Sequence, residues 1–479
     1  MKTEHWFTWE REATIHPILM CMEAWIEPMA KAYARPWPTT IIIYNGDIVS
    51  WYNPWVELLD YGDFLIKRFS KPDEQKALVE QIERYAKEIV NMFREFEEID
   101  LSDLSAKEIL PIYNILHKNY VNWFIPGGLV EPIGHQGEKL VRKLLENLDE
   151  TEKNDSFTIL TSATKESFSR RELKELLEIA IVKKEGKDVS KLLQLHAKKY
   201  FWTHNNYFVT EVLDKKFFEK EFELVIAKYS DPKQEIIRMD EELKKVQKDK
   251  EELLGKLKID QDGRNLIELL NLFSWYQDYR KEITMQMLHY LDWVLEEIGA
   301  RNEISLKEMK YTMATEIPAL LEGNFDKDVL KERMKRFLFY YDYKENKIES
   351  GTGEWSVKKE KEIFQSLKHE DEILELSGMV ASRGFVRGIA RVAMSASYAT
   401  NILPGEILIS SMTTPDFVTS MKRAAAIVTN EGGILCHAAV IAREFGLPCI
   451  VGTKLATKVF KTGDLIEVDG ELGVVRKIK

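Results

Sequence analysis

Apolar residues recur at helical spacing along most of the first 370 residues, and the pattern changes after them. Before that point, segments rich in Lys and Glu keep one apolar face, which predicts amphipathic helices. These helices are expected at about residues 72–98, 104–122, 135–149, 168–183, 188–204, 216–229, 232–257, 263–298, 305–322 and 327–339. After it, short β-branched runs separated by glycine predict an α/β domain.

The chain is therefore expected to be multidomain. We predict a mostly α-helical region over residues 1–370, which contains a small β-hairpin, and a C-terminal α/β domain over residues 371–479. A length of 479 residues fits two or three domains. The segment Lys361–Leu376 is interpreted as a polar connector into the last domain.

The hairpin is predicted over residues 39–52. Two β-rich runs flank Asn45 and Gly46, a pair typical of tight hairpin turns. Six of the eleven tryptophans fall in the first 55 residues. We interpret these side chains as packing the hairpin onto the helices; ligand stacking is the alternative.

The predicted helix at residues 232–257 carries apolar residues in alternating steps of three and four. These positions are Ile236, Met239, Leu243, Val246, Leu253 and Leu257, and Lys250 interrupts the series. About three heptads of this kind predict an antiparallel helical hairpin rather than an independent coiled coil.

The segment Thr429–Gly452 is the most informative part of the chain. The apolar run just before it, Ala424–Val428, predicts a buried strand. The segment itself then predicts a glycine pair at Gly432 and Gly433, a helix at Leu435–Phe445, a helix end at Gly446 and Pro448, and a second strand at Cys449–Val451. Because glycine has no side chain, an anion can approach the peptide N–H groups of this loop closely.

His437 is expected in the first turn of that helix. Unpaired N–H groups and the positive end of the helix dipole stabilise anions there and disfavour imidazolium, so the ring is expected to be neutral and nucleophilic. A neutral imidazole can carry a phosphoryl group as a covalent intermediate. For an isolated histidine, a capping or buried structural role is the alternative.

Four neighbours of His437 are candidate partners of the ring or the phosphate. Thr429 and Cys436 are candidate hydrogen-bond donors, and Gly432 and Gly433 are candidate phosphate-binding residues. The thiol of Cys436 is equally compatible with a small buried filler.

This segment resembles the mobile phosphohistidine domain of phosphoenolpyruvate-utilising enzymes, such as phosphoenolpyruvate synthase, pyruvate phosphate dikinase and rifampicin phosphotransferase. The matching elements are Thr414-Pro415-Asp416, Ala425 to Thr429, Gly432 to Ala439, Ala442-Arg443-Glu444 and Pro448 to Gly452. The resemblance extends upstream to Gly378, Gly384 and Gly388. It implies a swivelling domain in which His437 is the residue that becomes phosphorylated.

The resemblance also implies what else the reaction requires. Relatives that phosphorylate their own histidine carry an ATP-grasp domain, and no such pattern is found in this sequence. No pyruvate-binding barrel is expected in the residues that follow the mobile domain. We therefore expect a dikinase-type phosphotransferase component, incomplete alone, that receives phosphate from Mg-ATP through a separate ATP-grasp protein or domain, or from phosphoenolpyruvate. No tightly bound cofactor is expected.

The phosphoryl acceptor is expected to be a small molecule that binds the helical region. Arg280 and Tyr276 share one face of a long predicted helix, and Trp202 and His204 cluster at another helix end. Arg280 could hold a phosphate or carboxylate; an intramolecular ion pair is the alternative. The alternative for the whole chain is a non-catalytic phosphohistidine relay or regulatory scaffold.

Composition and charge narrow the remaining classes of function. The net charge of −11 and a pI near 5.6 argue against general nucleic-acid binding. Cys21, Cys436 and Cys449 form neither a metal-binding nor a disulfide pattern, which fits a reducing cytoplasm, and no metal site is expected. The N-terminus lacks a signal-peptide core, and no apolar run reaches the ~20 residues that span a bilayer.

Overall fold

The computed structural model describes residues 6–365, 375–394, 396–413, 417–431 and 436–478. Helices dominate the part before residue 365, and a sheet dominates the part after residue 375. The predicted helical region and C-terminal α/β region are thus confirmed in outline. The predicted boundary between residues 370 and 371 lies outside the described residues.

The helical region follows the apolar pattern of the sequence. Its helices are α1 (Ile15–Trp25), α2 (Glu27–Tyr33), α3 (Trp55–Phe69), α4 (Pro72–Phe96), α5 (Ala106–Gly127), α6 (Val130–Leu144), α7 (Glu150–Thr161), α8 (Phe168–Lys184), α9 (Ser190–Tyr200), α10 (Lys215–Lys228), α11 (Pro232–Lys256), α12 (Gln261–Arg301), α13 (Leu306–Met309), α14 (Ile317–Leu321), α15 (Asp328–Lys335) and α16 (Gly353–Gln365).

Side-chain caps fix where several long helices begin. Asp231 accepts a hydrogen bond from the Gln234 N–H at the start of α11, and Asp260 does the same for Gly263 at the start of α12. These caps satisfy amide groups that have no partner within the helix. The predicted helix at residues 305–322 is wrong as one element: α13 ends at Met309, and Pro318 lies in the first turn of the separate helix α14.

The predicted hairpin is confirmed, and it forms part of a larger antiparallel sheet. Among the described residues, five strands form an antiparallel sheet in the order β1-β3-β2-β4-β5. They are β1 (Trp6–Glu12), β2 (Thr40–Asn45), β3 (Ile48–Pro54), β4 (Arg336–Asp342) and β5 (Lys347–Thr352).

Strand β4 corrects the predicted helix at residues 327–339, which ends at Lys335. Phe337, Phe339 and Tyr341 pack into the main helical core, whereas Leu338 packs on the opposite face with Ile41 and Ile43 of β2. This period of two is the pattern of a strand with two buried faces. Pairing with β2 decides the conformation of a segment whose apolar residues also fit a helix.

The N-terminal tryptophans pack the sheet onto the helices, as predicted. Trp25 of α1 stacks on Trp37 with the ring centroids 4.5 Å apart, and Trp9 stacks on Trp51 at 5.3 Å. Trp37 and Trp51 are fully enclosed. The aromatic rings therefore form the contact layer between sheet and helices.

The predicted helical hairpin is limited to the turn between α11 and α12, because α11 packs along its length against α7 and α8. Glu251 pairs with Arg264 across the turn, and Lys250 donates a hydrogen bond to the side-chain oxygen of Asn271 at 2.7 Å. Lys250 also donates to the Ser162 carbonyl at 2.7 Å. Burial lowers the pKa of Lys250 to about 8, so this interruption of the apolar series is a buried polar link.

The C-terminal part is a sheet with helices on both faces. Among the described residues its strand order is β6-β13-β12-β8-β9-β10-β11-β7, and β8 to β11 run parallel. The strands are β6 (Glu375–Ser377), β7 (Met379–Ser382), β8 (Phe385–Val392), β9 (Ile407–Ser410), β10 (Ala426–Thr429), β11 (Cys449–Val451), β12 (Leu465–Asp469) and β13 (Val474–Lys477).

Short helices cover this sheet: α17 (Ala396–Ala399), α18 (Val418–Met421), α19 (His437–Phe445) and α20 (Ala456–Val459). Ala438, Ala439 and Ala442 of α19 pack on one face of the sheet, and Ala456 of α20 packs on the other. Small residues on α19 allow a close approach of the helix to the strands.

Gly378 permits a close contact between β-strands of this sheet. A Cβ atom there would lie 2.6 Å from Ile450 Cγ2 and 2.7 Å from the Val451 carbonyl oxygen. Gly446 differs: it ends α19 with a φ of +65°, and a Cβ atom there would meet nothing within 4 Å. The first glycine is required by packing, and the second by backbone conformation.

We expect Gly378→Ala to destabilise the C-terminal domain by more than Gly446→Ala. The alanine methyl group at position 378 must displace backbone of β11, whereas at position 446 it adds only the strain of a left-handed alanine, roughly 1 kcal/mol. Hydrogen exchange of the β11 amides in the two variants measures this difference. Equal protection in both variants would contradict the packing argument.

Candidate functional site

The turn that follows β10 is held by a dense set of hydrogen bonds. Thr429, which ends β10, is fully buried, and its hydroxyl donates to the Glu431 carbonyl at 2.6 Å. The Thr453 hydroxyl donates to the Thr429 carbonyl at 2.8 Å. Asn430 donates to the Thr457 hydroxyl at 2.6 Å and accepts from the Thr457 N–H at 3.0 Å. The chain therefore enters the glycine loop from a fixed position.

The helix after this loop begins at His437, which confirms the predicted first-turn position. Gly432 and Gly433 lie outside the described residues, so their predicted contact with phosphate stays a prediction. Cys436, just before the helix, is half-buried and packs at the edge of the core beneath α19, with its thiol outside any disulfide. Backbone N–H groups at a helix start attract an anion.

Thr429 has a structural contact that the sequence did not reveal. Its hydroxyl proton points to the Glu431 carbonyl, so the side chain shapes the turn in this arrangement. Direct donation from Thr429 or Cys436 to a phosphate stays a prediction.

Glu431 connects the glycine loop electrostatically to the helical region. Burial raises the pKa of the Glu431 carboxyl to about 7. The positive charges of Arg11 and Lys281 oppose this rise, and the negative charge of Glu131 adds to it. Arg11 belongs to β1, Glu131 to α6 and Lys281 to α12. The end of β10 therefore faces a charged surface built from three elements of the helical region.

Aromatic residues of the helical region meet the C-terminal domain beside this surface. The Lys454 ammonium lies 5.2 Å from the Trp55 ring centroid, and the Lys458 ammonium lies 4.2 Å from that of Tyr52. His135 packs against Trp55 with centroids 5.1 Å apart. Burial lowers the pKa of His135, and nearby Lys454 lowers it further, so this ring is neutral near pH 7. We call this contact region the junction.

The structure places the Arg280 guanidinium against the backbone of the helical region. It donates to the Gly127 carbonyl at the end of α5, and the neighbour of Arg280 in sequence is Lys281. Burial and the charges of Arg280 and Arg11 lower the pKa of Lys281. Lys281 nevertheless keeps an exposed surface.

The other predicted substrate residues have contacts within the helical region. Tyr276 is fully buried and donates to the Trp123 carbonyl at 3.3 Å, and buried Trp202 donates to the Lys199 carbonyl at 2.9 Å. His204 is exposed and lies 3.0 Å from a Glu211 carboxylate oxygen. Their predicted role toward a substrate stays a prediction.

Sequence reasoning missed Arg11, Glu131, His135 and Lys281. They lie on three elements that are far apart in the chain, and none belongs to a local motif. One available signal was the alternation in β1, which places Phe7, Trp9 and Arg11 on one face.

Comparison with known proteins supports the reading of the C-terminal part. Residues 402–473 match the family model described as "PEP-utilising enzyme, mobile domain". A probable phosphoenolpyruvate synthase of Archaeoglobus fulgidus is 52% identical over 118 residues, which are 25% of this chain and 16% of that protein. The phosphoenolpyruvate synthase of Pyrococcus furiosus is 46% identical over 122 residues, or 26% of this chain and 15% of that protein.

A chondramide synthase of Chondromyces crocatus is 47% identical over 106 residues, which are 22% of this chain and 3% of that protein. The chain thus spans only about a sixth, or less, of the length of these curated relatives. The resemblance of the C-terminal domain to phosphoenolpyruvate-utilising enzymes is confirmed. Because proteins of different names share this segment, the segment alone does not identify a substrate.

No described helix is both long enough and apolar enough to cross a membrane. No group of three or more His, Cys, Asp or Glu side chains suited to a metal ion occurs among the described residues.

We expect Glu431→Gln to stabilise the chain at pH 8 more than at pH 5. The pKa of the Glu431 carboxyl is about 7 in the folded state, against an ordinary 4.5. Ionisation of this carboxyl therefore lowers the free energy of unfolding as the pH rises through this window, and there is no such effect below it. The expected difference is on the order of 2 kcal/mol. Thermal unfolding at both pH values measures it.

Glu471→Gln is the matched control, because Glu471 is an exposed carboxylate of the same domain. This control should show no pH-dependent gain. A gain of equal size in both variants would contradict the assignment of the effect to Glu431.

Proposed function

We propose that this chain is a phosphotransferase component that carries a phosphoryl group on His437 and passes it to a small-molecule acceptor. The observation that carries the proposal is the position of His437 as the first residue of α19, in the segment that follows a turn fixed by buried hydrogen bonds. The similarity of this domain to proteins named phosphoenolpyruvate synthase supports the same chemistry.

Each transfer exchanges one bond to phosphorus for another. In the first, a neutral ring nitrogen of His437 attacks the donor phosphorus, an N–P bond forms, and the bond to the donor's leaving oxygen breaks. In the second, an acceptor oxygen attacks the phosphorus, the N–P bond breaks, and its electron pair returns to the ring. The acceptor's proton leaves to a base. Positioning and electrostatic stabilisation supply most of the catalysis in such transfers.

The donor in this proposal is ATP, delivered with Mg²⁺ by a separate ATP-grasp protein or domain, or phosphoenolpyruvate itself. A swivelling movement of the C-terminal domain would take His437 from the donor to the junction. The contacts at the junction suit a reversible association, since they are cation–aromatic and charge–charge contacts at a solvent-accessible edge. We further propose that the protein works in the cytoplasm.

The second candidate function is a phosphohistidine relay or regulatory scaffold without a small-molecule acceptor. Its support is the predominance of helices before residue 365, since exposed helix faces suit docking of a protein partner. Charges of Arg11 and Lys281 beside Glu431 favour the first candidate, because a protein scaffold does not require a cationic surface next to the glycine loop.

Labelled ATP with Mg²⁺ and an ATP-grasp protein recovered from the native cell, or labelled phosphoenolpyruvate alone, should transfer phosphate to the chain. The product should be labile in acid and stable in base, as a phosphoramidate is. His437→Ala should abolish the label, whereas His204→Ala should retain it, since His204 is exposed and distant in sequence. Label that persists in His437→Ala would refute the carrier assignment.

A further inference from the structure

Two lysines of the C-terminal domain lie on two aromatic rings of the helical region. The Lys454 ammonium is 5.2 Å from the Trp55 ring centroid, and the Lys458 ammonium is 4.2 Å from the Tyr52 ring centroid. Tyr52 and Trp55 stand at the corner where β3 passes into α3, and the two lysines flank the start of α20. The contact therefore has two points on each side. We call Tyr52 and Trp55 the aromatic corner.

Packing within the helical region holds both rings of the aromatic corner in place. Phe7 stacks on Trp55 with the ring centroids 6.0 Å apart, and His135 packs against the same ring at 5.1 Å. Phe364 packs edge-on against Tyr52 at 5.1 Å. Phe364 belongs to α16, the last described helix before the C-terminal domain. The aromatic corner is therefore ordered before any cation reaches it, which lowers the entropic cost of the contact.

Lys454 has an unusual backbone conformation. Its φ is +67°, in the left-handed region, which strains a residue with a Cβ atom and suits glycine. What lysine adds over glycine at this position is the side chain, and the end of that side chain lies on Trp55. Glycine would relieve the strain and remove the contact, so one substitution separates folding of the segment from its contact with the helical region.

The backbone of the same segment is bonded to the turn that follows β10. The Lys454 N–H donates to the Asn430 carbonyl at 2.9 Å, and the Thr453 N–H donates to the Thr429 carbonyl at 3.0 Å. These hydrogen bonds join the lysine segment and the turn into one body. A contact that holds Lys454 on the helical region therefore also sets the orientation of the turn that leads to the glycine loop.

The chemistry of the contact suits a site that is occupied and released repeatedly. One cation–aromatic contact changes an association roughly fivefold when it is exposed, and two contacts within one body change it roughly 25-fold. Small polar interfaces between domains of one chain allow the domains to move relative to each other.

We propose that the aromatic corner is a reversible docking site whose occupant is this chain's own C-terminal domain, held through the ammonium groups of Lys454 and Lys458. In the docked position the turn after β10 faces the helical region, and in the released position the domain can meet a phosphoryl donor. What docking achieves rests on the proposed function, since it sets how often His437 stands on the acceptor side. The docking itself requires no phosphoryl transfer.

Small-angle X-ray scattering of the full-length chain measures docking through the radius of gyration. Lys454→Gly combined with Lys458→Gln should raise this radius, because the ratio of docked to released molecules falls roughly 25-fold. Hydrogen exchange of the β10 amides should stay as slow as in the unsubstituted chain, because glycine suits the conformation at position 454. Lys454→Arg keeps a cation and should keep the original radius.

Lys258→Gly is the matched control, since Lys258 is also an exposed lysine with a left-handed φ, +53°, and lies at the turn between α11 and α12. It should leave the radius of gyration unchanged. An unchanged radius in the double variant, or an equal rise in Lys258→Gly or Lys454→Arg, would overturn the docking site. A larger radius in the double variant, without labelling of His437 in any chain, would retain the docking site and refute the proposed function instead.

Discussion

The hydrogen bonds around the end of β10 are the constraint on which the candidate site depends. Buried Thr429 shapes the turn through the Glu431 carbonyl, and Asn430 is tied to Thr457 at the start of α20. These bonds join the segment that follows β10 to the segment that follows β11, two neighbouring parallel strands. The edge at the carboxyl ends of parallel strands is where ligands bind in open α/β sheets. The start of α19 is therefore presented at this edge by residues whose side chains face inward.

At the junction, charged and aromatic side chains connect this edge of the sheet to the helical region. The five-stranded sheet supplies Arg11 and Tyr52, and α12 supplies Lys281. Core packing fixes these elements: stacked tryptophans hold the sheet, and α12 passes through the main core.

Local patterns predicted some elements well and others poorly. The helices α4, α8, α10 and α11 were predicted to within about two residues at each end, because the apolar face and the start signal are both encoded locally. The start signal is Pro72 for α4 and a capping side chain for the other three helices. Strand β4 was missed because Phe337 to Tyr341 are apolar at nearly every position, so periodicity does not separate a helix from a strand with two buried faces. Only pairing with β2, almost 300 residues earlier, settles its conformation.

The candidate site likewise combines features that local sequence predicted with features that only the structure shows. The sequence by itself determined the candidate carrier segment: the strand, the glycine pair, the first-turn position of His437 and the helix end at Gly446 are all consecutive, and short-range backbone preferences decide them. Tertiary structure alone decided what surrounds the end of β10. Arg11, Glu131 and Lys281 reach Glu431 from three separate elements. No local signal marks them, because their proximity is a result of core packing over long sequence separations.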